Sequence, residues 1–389
     1  MRLPENVEFI ISRLNAAGHR ADIVGGCVRD RILEKEPNDY DITTDATPDE
    51  MREIFADMRT VDTGIKHGTL TVLVGGEPYE ITTYRLDGEY SDNRHPDSVL
   101  FTRRLADDLA RRDFTVNAMC YNMTDGFTDL FSGREDIEGR IIRAVGDPVR
   151  RFTEDALRIL RALRFAATLD FYIEKETSAA IFKTAHLLRF VSRERIYTEW
   201  KKLISGVGAY RVISEYKEII RLIMPTLSDI ILPEEELFNS ASAELRELSL
   251  FVNLEDPAAA FSAEMSALRC DNRHKSYGVC LLQNMNAETE TETELKLLLI
   301  KVGEECARGV VRLKILLGGA DEAQYDLLDS LLKRGVCYRL SDMKIDGNDI
   351  AQLGIRGKKI GETLNGLLYM IARGEVINER EALLSAVTK

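Results

Sequence analysis

The hydrophobic pattern of this chain changes once, near residue 140, and no other feature limits its fold as strongly. Before that point strand-like and helix-like runs alternate. "VEFIISRLNAAG" reads as an amphipathic helix ended by Gly18, "ADIVGG" as a short strand running into a glycine turn, and "CVRDRILE" as a helix start. "YDITTD" reads as a strand, and "TPDEMREIFAD" as a helix opened by Thr47 and Pro48. "GTLTVLVGGEPYEITTYR" has the form of a hairpin with "GGEP" as its turn. From about Ile141 onward apolar residues recur at helical spacing, as in "EDALRILRALRFAATL" and "RERIYTEWKKLISG", and strand signals are few. Polar or acidic stretches near 229–240 and 284–294 read as loops or exposed joints. The expected class is α+β, with a mixed α/β head carrying a small sheet and helices thereafter. At 389 residues the chain exceeds one ordinary core, so several domains are expected.

Hydrophobic residues make up 44% and charged residues 30%, the balance of a globular protein in water. No stretch approaches the roughly 20 apolar residues that span a bilayer. The N-terminus has no basic start followed by an apolar run and a cleavage site, so the expected location is cytoplasmic, away from membranes. Six cysteines and five histidines are scattered without CxxC or HExxH spacing, which argues against a zinc site or a disulfide framework. The net charge of −13 argues against a polyanionic partner when taken alone. The average conceals a bias, because basic residues outnumber acidic ones between Arg140 and Arg221. A locally basic face is compatible with nucleic acid binding, and equally with a solvated helix surface.

"NDYDITTDATP", residues 38–48, places Asp39 and Asp41 one residue apart. On a strand they project to the same side and repel unless something neutralises them. Mg²⁺ does this well, taking one or two protein carboxylates plus substrate phosphates. Glu80, on the neighbouring predicted strand, is the candidate third carboxylate of a two-metal site for in-line phosphoryl displacement. Alone, the aspartate pair is better explained by two exposed strand carboxylates. About ten residues upstream, however, "GGCVRD" sits at a strand-to-helix turn. Gly25 and Gly26 let backbone N–H groups approach a phosphate, and Arg29 offers it a charge-assisted contact. Glycine turn, short gap and aspartate pair together are far more specific than any one of them.

These residues resemble the first signature of class II tRNA nucleotidyltransferases, relatives of bacterial poly(A) polymerases in the polymerase-β-like superfamily. Later stretches match that family in order: "RRDFTVNAM" (111–119), "DIEGRIIRAVGDP" (136–148), "EDALRILRALRF" (154–165) and "RERI" (193–196). The final segment, from "IDGNDIAQLGIRGKKIG" onward, resembles the tail of bacterial CCA-adding enzymes.

The resemblance implies a catalytic head (1–140), a helical neck with a nucleotide-selecting helix (141–222), and a body (223–320) and tail (321–389) that bind tRNA. It implies Mg²⁺ held by Asp39 and Asp41, and template-independent addition of C, C and A from CTP and ATP with release of pyrophosphate. Arg112 is carried over as a nucleotide contact, with Asp113 and Asn117 bracing the local backbone. Asp155, Arg158, Arg161 and Arg164 follow at three-residue steps along one helix side, where the family places its base reader. The chemistry is coherent. A carboxylate accepts from the exocyclic amine of cytosine or adenine, and a donor-only arginine suits cytosine N3 or adenine N1. Asp155 and Arg158 would thus accept CTP and ATP and reject UTP and GTP. Arg161 and Arg164 would orient that reader or meet the triphosphate. Arg193, Arg195, Lys201 and Lys202 begin a track for tRNA backbone. Alternatives are a CC-adding or A-adding partial enzyme, a poly(A) polymerase, or a catalytically silent RNA-binding descendant. The polar "DGEYSDNRHPDSV" (87–99) occupies the place of the family's flexible loop and favours full CCA addition.

Overall fold

The computed structural model describes residues 2–88 and 99–388. These form two compact units, residues 1–223 and 224–389. The first opens with helix α1 (Glu5–Ala16), whose Val7, Ile10, Ile11 and Leu14 are buried at helical spacing. Strand β1 (Ala21–Val24) leads through Gly25 into the short helix α2 (Gly26–Ile32), and β2 (Ile42–Thr44) follows. Helix α3 (Pro48–Ile54) starts where the sequence signals it, with Thr47 and Glu50 satisfying each other's backbone N–H groups. Next come β3 (Thr60–Gly64), β4 (Thr69–Val74) and β5 (Glu77–Thr83). The β4–β5 hairpin turns on Gly75 and Gly76, both at positive φ, as a two-residue turn of the favoured hand requires.

Strands β6 (Arg85–Asp87) and β7 (Val99–Phe101) pair antiparallel. Between them, residues 89–98 of the expected flexible loop lie outside the described residues. Helix α4 (Leu105–Ala110), strands β8 (Met119–Asn122) and β9 (Gly126–Asp129), and helix α5 (Gly133–Glu138) complete the head. Seven strands form one sheet in the order β3-β4-β5-β2-β1-β8-β9. Every neighbouring pair is antiparallel except β2 and β5, which run parallel with Ile42 opposite Ile81.

Past residue 140 the first unit is almost wholly helical. A two-residue pair, β10 (Ile141–Ile142) with β11 (Tyr172–Ile173), is the exception. Helices α6 (Pro148–Glu154), α7 (Leu157–Leu169), α8 (Lys175–Thr184) and α9 (Arg193–Ile204) follow, and Trp200 and Tyr197 of α9 are packed inside. The "EDALRILRALRF" stretch is therefore not one helix. It breaks at Asp155, which has extended backbone angles (φ −140°, ψ 105°) and accepts the N–H of Leu157 at 3.0 Å. A short acidic side chain competes with the helix for backbone donors, and here it starts a new helix instead of continuing the old one.

The second unit is helical throughout its described residues. Its longest helix, Glu292–Leu316, is opened by a reciprocal Thr291–Glu294 cap and kinks at Gly303, which has φ 76°. The acidic stretch near 229–240, expected as a joint, folds its second half into a helix, Glu235–Ser240, that buries Phe238. A separate cluster of Ile345, Ile350, Leu367, Leu368 and Leu383 organises the C-terminal helices. Among the described residues no helix is long and apolar enough to cross a membrane.

Candidate active site

Asp41 stands immediately before β2, and its carbonyl accepts the N–H of Val24 at 3.0 Å. Asp39 lies in the coil ahead of it, exposed. The alternation that a longer strand would impose on the pair is thus absent. The reason is local: Gly25 turns away at φ 83°, so β1 offers no backbone for residues 39–40 to pair with. Gly25 is required here for a second reason. A Cβ on it would come 3.0 Å from Arg112 Nη1 and 3.8 Å from Asp41 Oδ2. Turn, carboxylate and guanidinium share one spot.

A polar cavity of about 190 Å³ opens there, lined by Asp41, Arg111, Arg112 and Arg85 with Thr69 and Thr82. The protein around the cavity desolvates the Asp41 carboxyl, and the negative charges of Asp39 and Glu80 add to this, so its pKa is raised against the pull of Arg112. Glu80 is exposed on β5, one residue before Ile81, and the parallel β2–β5 register sets it beside Asp41. Among the described residues no three Asp, Glu, His or Cys side chains are gathered closely enough to form a metal-binding cluster. The donor set nevertheless fits a hard divalent cation: oxygen ligands only, mutual repulsion for the cation to relieve, and an open side for phosphate oxygens.

The other expected contacts are placed as follows. Gly26 is the first residue of α2. Arg29, also on α2, is buried, and its donors are taken by Asn117 Oδ1 at 2.6 Å and Asp30 Oδ1 at 2.7 and 2.9 Å. In this structure it braces the α2 turn against residue 117 instead of facing the cavity. Arg158 donates to Glu154 at 2.8 Å and, through Nη2, to the Arg111 carbonyl at 3.2 Å. Asp155 Oδ2 accepts from Arg195 at 2.9 Å. Arg161 is bound to Asp113 by two contacts of 2.8 and 2.6 Å, and Arg164 to Glu199 at 3.0 Å. The four residues of the 155–164 stripe are therefore held by four different carboxylates or arginines, and Asp155 lies at the helix start, off the stripe.

Three guanidinia, those of Arg29, Arg161 and Arg164, stand 5.3, 5.4 and 3.8 Å from the centre of the Phe165 ring. The electron-rich faces of the ring attract cations that would otherwise only repel one another. Burial is the main influence on Arg164, pulling its pKa down to about 10 despite Glu199. Phe165, Glu154, Glu199 and Asp108 carry much of this arrangement, and sequence reasoning passed them over. Two had a signal: Asp108 precedes Arg111 and Arg112 by three and four residues, and Glu154 precedes Arg158 by four.

Asp113 yields a stability prediction. Burial pushes its carboxyl up, but Arg161, Arg158 and Asn117 outweigh this and hold it at about 2. A depressed folded-state value contributes stability above the unfolded value near 4 and loses it as pH falls toward 2. Asp113→Asn is expected to cost about 2 kcal/mol at neutral pH. In urea titrations at a series of pH values, the variant should lack the stability step that the wild type shows between about pH 4 and 2.

The head matches the model of the poly(A) polymerase head domain over residues 21–143. Residues 170–228 match the model described as the probable RNA and SrmB-binding site of polymerase A, and residues 240–387 match that of tRNA nucleotidyltransferase domain 2. A poly(A) polymerase head and a tRNA nucleotidyltransferase domain in one chain mark the class as nucleotidyltransferase. The CCA-adding enzyme of Levilactobacillus brevis is 36% identical over 99% of this chain and 98% of its own. That of Enterococcus faecalis is 36% identical over 98% and 94%. The crystal structure of Bacillus stearothermophilus CCA-adding enzyme in complex with CTP superposes with a TM-score of 0.79 at 30% identity, covering 100% of this chain and 98% of that one. The chain belongs to the CCA-adding enzymes, a family of tRNA nucleotidyltransferases.

Proposed function

We propose that this chain adds C, C and A in turn to the 3′ end of tRNA, using CTP and ATP and releasing pyrophosphate. The observation that carries the reading is the meeting of Asp41, Arg112 and the Gly25 turn at one polar cavity. The whole-chain relatives are CCA-adding enzymes, which favours full addition over a partial enzyme or a poly(A) polymerase.

Asp39 and Asp41 would hold Mg²⁺, with Glu80 contributing negative charge beside them. The bound metal would supply charge neutralisation at the α-phosphate and lower the pKa of the attacking hydroxyl. Arg111 and Arg112 face the cavity and suit the triphosphate, because a guanidinium stays charged and matches phosphate oxygens with paired donors. Asp155 and Arg158 present an acceptor and donors to the base, and the same two side chains serve cytosine and adenine, so no template strand is needed. Glu154 and the Arg111 carbonyl set the Arg158 side chain, while Arg195 and the Leu157 N–H set Asp155. Arg161, Arg164 and Arg29 act as braces through Asp113, Glu199 and Asn117.

Residues 1–140 would serve as catalytic head and 141–222 as neck, with 223–320 and 321–389 as body and tail gripping tRNA by backbone and shape. Lys201 and Lys202 are exposed on α9 and fit the backbone track, whereas Arg193 and Arg195 are engaged within the first unit. The test is incorporation from labelled CTP or ATP alone onto tRNAs ending at the discriminator base, at C and at CC. CTP extending the first two and ATP only the third supports the reading; untemplated runs of A on any RNA end would replace it.

The 87–99 segment is assigned to the change from C to A addition, on its polar, glycine- and proline-bearing sequence and its place between paired β6 and β7. Shortening residues 87–99 to a tight turn should leave addition of the two C residues largely intact and suppress the final A. Products resolved one nucleotide at a time check this, and full CCA at the normal rate refutes it.

A further inference from the structure

We infer that Asp108, on α4 and outside the expected site residues, is a positioning residue for the triphosphate that acts through Arg111 and Arg112. The inference rests on the nucleotidyltransferase reading above. Asp108 has no exposed surface. Its Oδ1 accepts from Arg111 Nε at 2.9 Å and Nη2 at 2.7 Å, and its Oδ2 accepts from Arg112 Nη2 at 3.3 Å and Thr43 Oγ1 at 3.4 Å. Thr43 belongs to β2, the strand that begins beside Asp41. One buried carboxylate thus ties two cavity arginines to the strand that presents the metal-binding aspartate.

The arrangement has a physical purpose. An arginine side chain loses rotational freedom when it grips a ligand, and that loss weakens binding. Asp108 imposes the loss during folding, so the two guanidinia already stand at the cavity wall. Two cations around one anion leave a net single positive charge there, which suits an anionic ligand. Arg112 Nη1 stands 3.0 Å from where a Cβ at position 25 would lie, so the glycine leaves room for the guanidinium.

Residue 111 also reaches the other end of the site. Its carbonyl accepts from Arg151 Nη1 at 3.0 Å and from Arg158 Nη2 at 3.2 Å. The side chain of Arg111 is set by Asp108, and its backbone anchors the arginine assigned to the base. Phosphate end and base end are therefore referenced to the same residue, although Asp108 itself touches only the phosphate end.

The test uses the full chain with Asp108→Asn, which keeps the shape but removes the charge and one acceptor oxygen. Affinities for CTP, ATP and inorganic pyrophosphate should fall together, by about tenfold or more. KM for both nucleotides should rise more than kcat falls, and tRNA affinity should stay within about twofold of wild type. Unchanged nucleotide affinity in a folded variant overturns the inference. So does a loss confined to one base, or an equal loss of tRNA and nucleotide binding with a lowered melting temperature, which marks a merely structural residue. If the Asn variant does not fold, Asp108→Glu replaces it, keeping the charge while moving the carboxylate that holds the two guanidinia. Lower pyrophosphate affinity then supports the inference, and wild-type affinity overturns it. Failure of the underlying reading looks different: the wild-type chain itself would neither bind CTP and ATP nor extend tRNA.

Discussion

Asp41→Ala is expected to stop nucleotide transfer while tRNA remains bound. Burial of the Asp41 carboxyl, with the negative charges of Asp39 and Glu80 beside it, raises its pKa against the pull of Arg112. Removing the carboxyl relieves repulsion, so the fold should tolerate the change; the Asp41 carbonyl, which pairs with Val24, is kept. What is lost is a ligand that holds positive charge at the reacting phosphate. That charge is worth several kcal/mol in the transition state, so turnover should drop by more than about a thousandfold. Asp39→Ala should behave alike. Glu80→Ala tests the third carboxylate, which stands beside Asp41 on the neighbouring strand; a loss well below that of Asp41 is expected, because Asp39 and Asp41 are the proposed metal ligands. Single-turnover extension of tRNA in Mg²⁺, with tRNA affinity measured alongside, checks all three. Near-normal turnover by the Asp41 variant would remove the metal-ligand assignment.

The second large effect concerns the base. Asp155→Ala should raise misincorporation of UTP relative to CTP, because the acceptor for the exocyclic amine is gone. One charge-assisted contact corresponds to about 2 kcal/mol of transition-state stabilisation, or roughly thirtyfold in catalytic efficiency. The structure adds a complication that the test must separate. Asp155 also accepts the Leu157 N–H at the start of α7 and holds Arg195, so its removal can loosen the helix that carries Arg158. Arg195→Met serves as the control, since it frees Asp155 without deleting the carboxylate. If Asp155 reads the base, the Ala variant loses selectivity among the four nucleotides, and the Met variant loses rate with selectivity kept. Equal loss of selectivity in both would make Asp155 a scaffold for a reader elsewhere.

Much of the head was legible before any coordinates, and particular residues show why. The Thr47–Pro48 helix start, the Gly75–Gly76 hairpin turn and the strand leading into Gly25 obey rules confined to a few neighbouring residues. The approach of Asp41 to the Gly25 turn was legible to the same extent: the two are close in sequence, and a short strand-turn-helix keeps them close in space. The reading failed where one residue had two local options. Asp155 could continue a helix or cap the next one, and spacing alone does not distinguish these. The strand at 42–44 is shorter than its alternation suggests because its partner leaves at Gly25, a fact about β1 and not about residues 39–41.

By itself, then, the sequence determined the elements and the change from α/β to mostly helical structure, since each depends on backbone preferences and side-chain periodicity within one segment. Tertiary structure alone decided which charges meet. The parallel pairing of β2 with β5 brings Glu80 to Asp41, and the approach of residue 112 to Gly25 makes the cavity. Arg29 leaves the cavity for Asn117, and Asp108 is buried between two arginines. An arginine reaches many possible partners from one backbone position, and its choice follows from the desolvation and opposing charge it finds after the chain has packed.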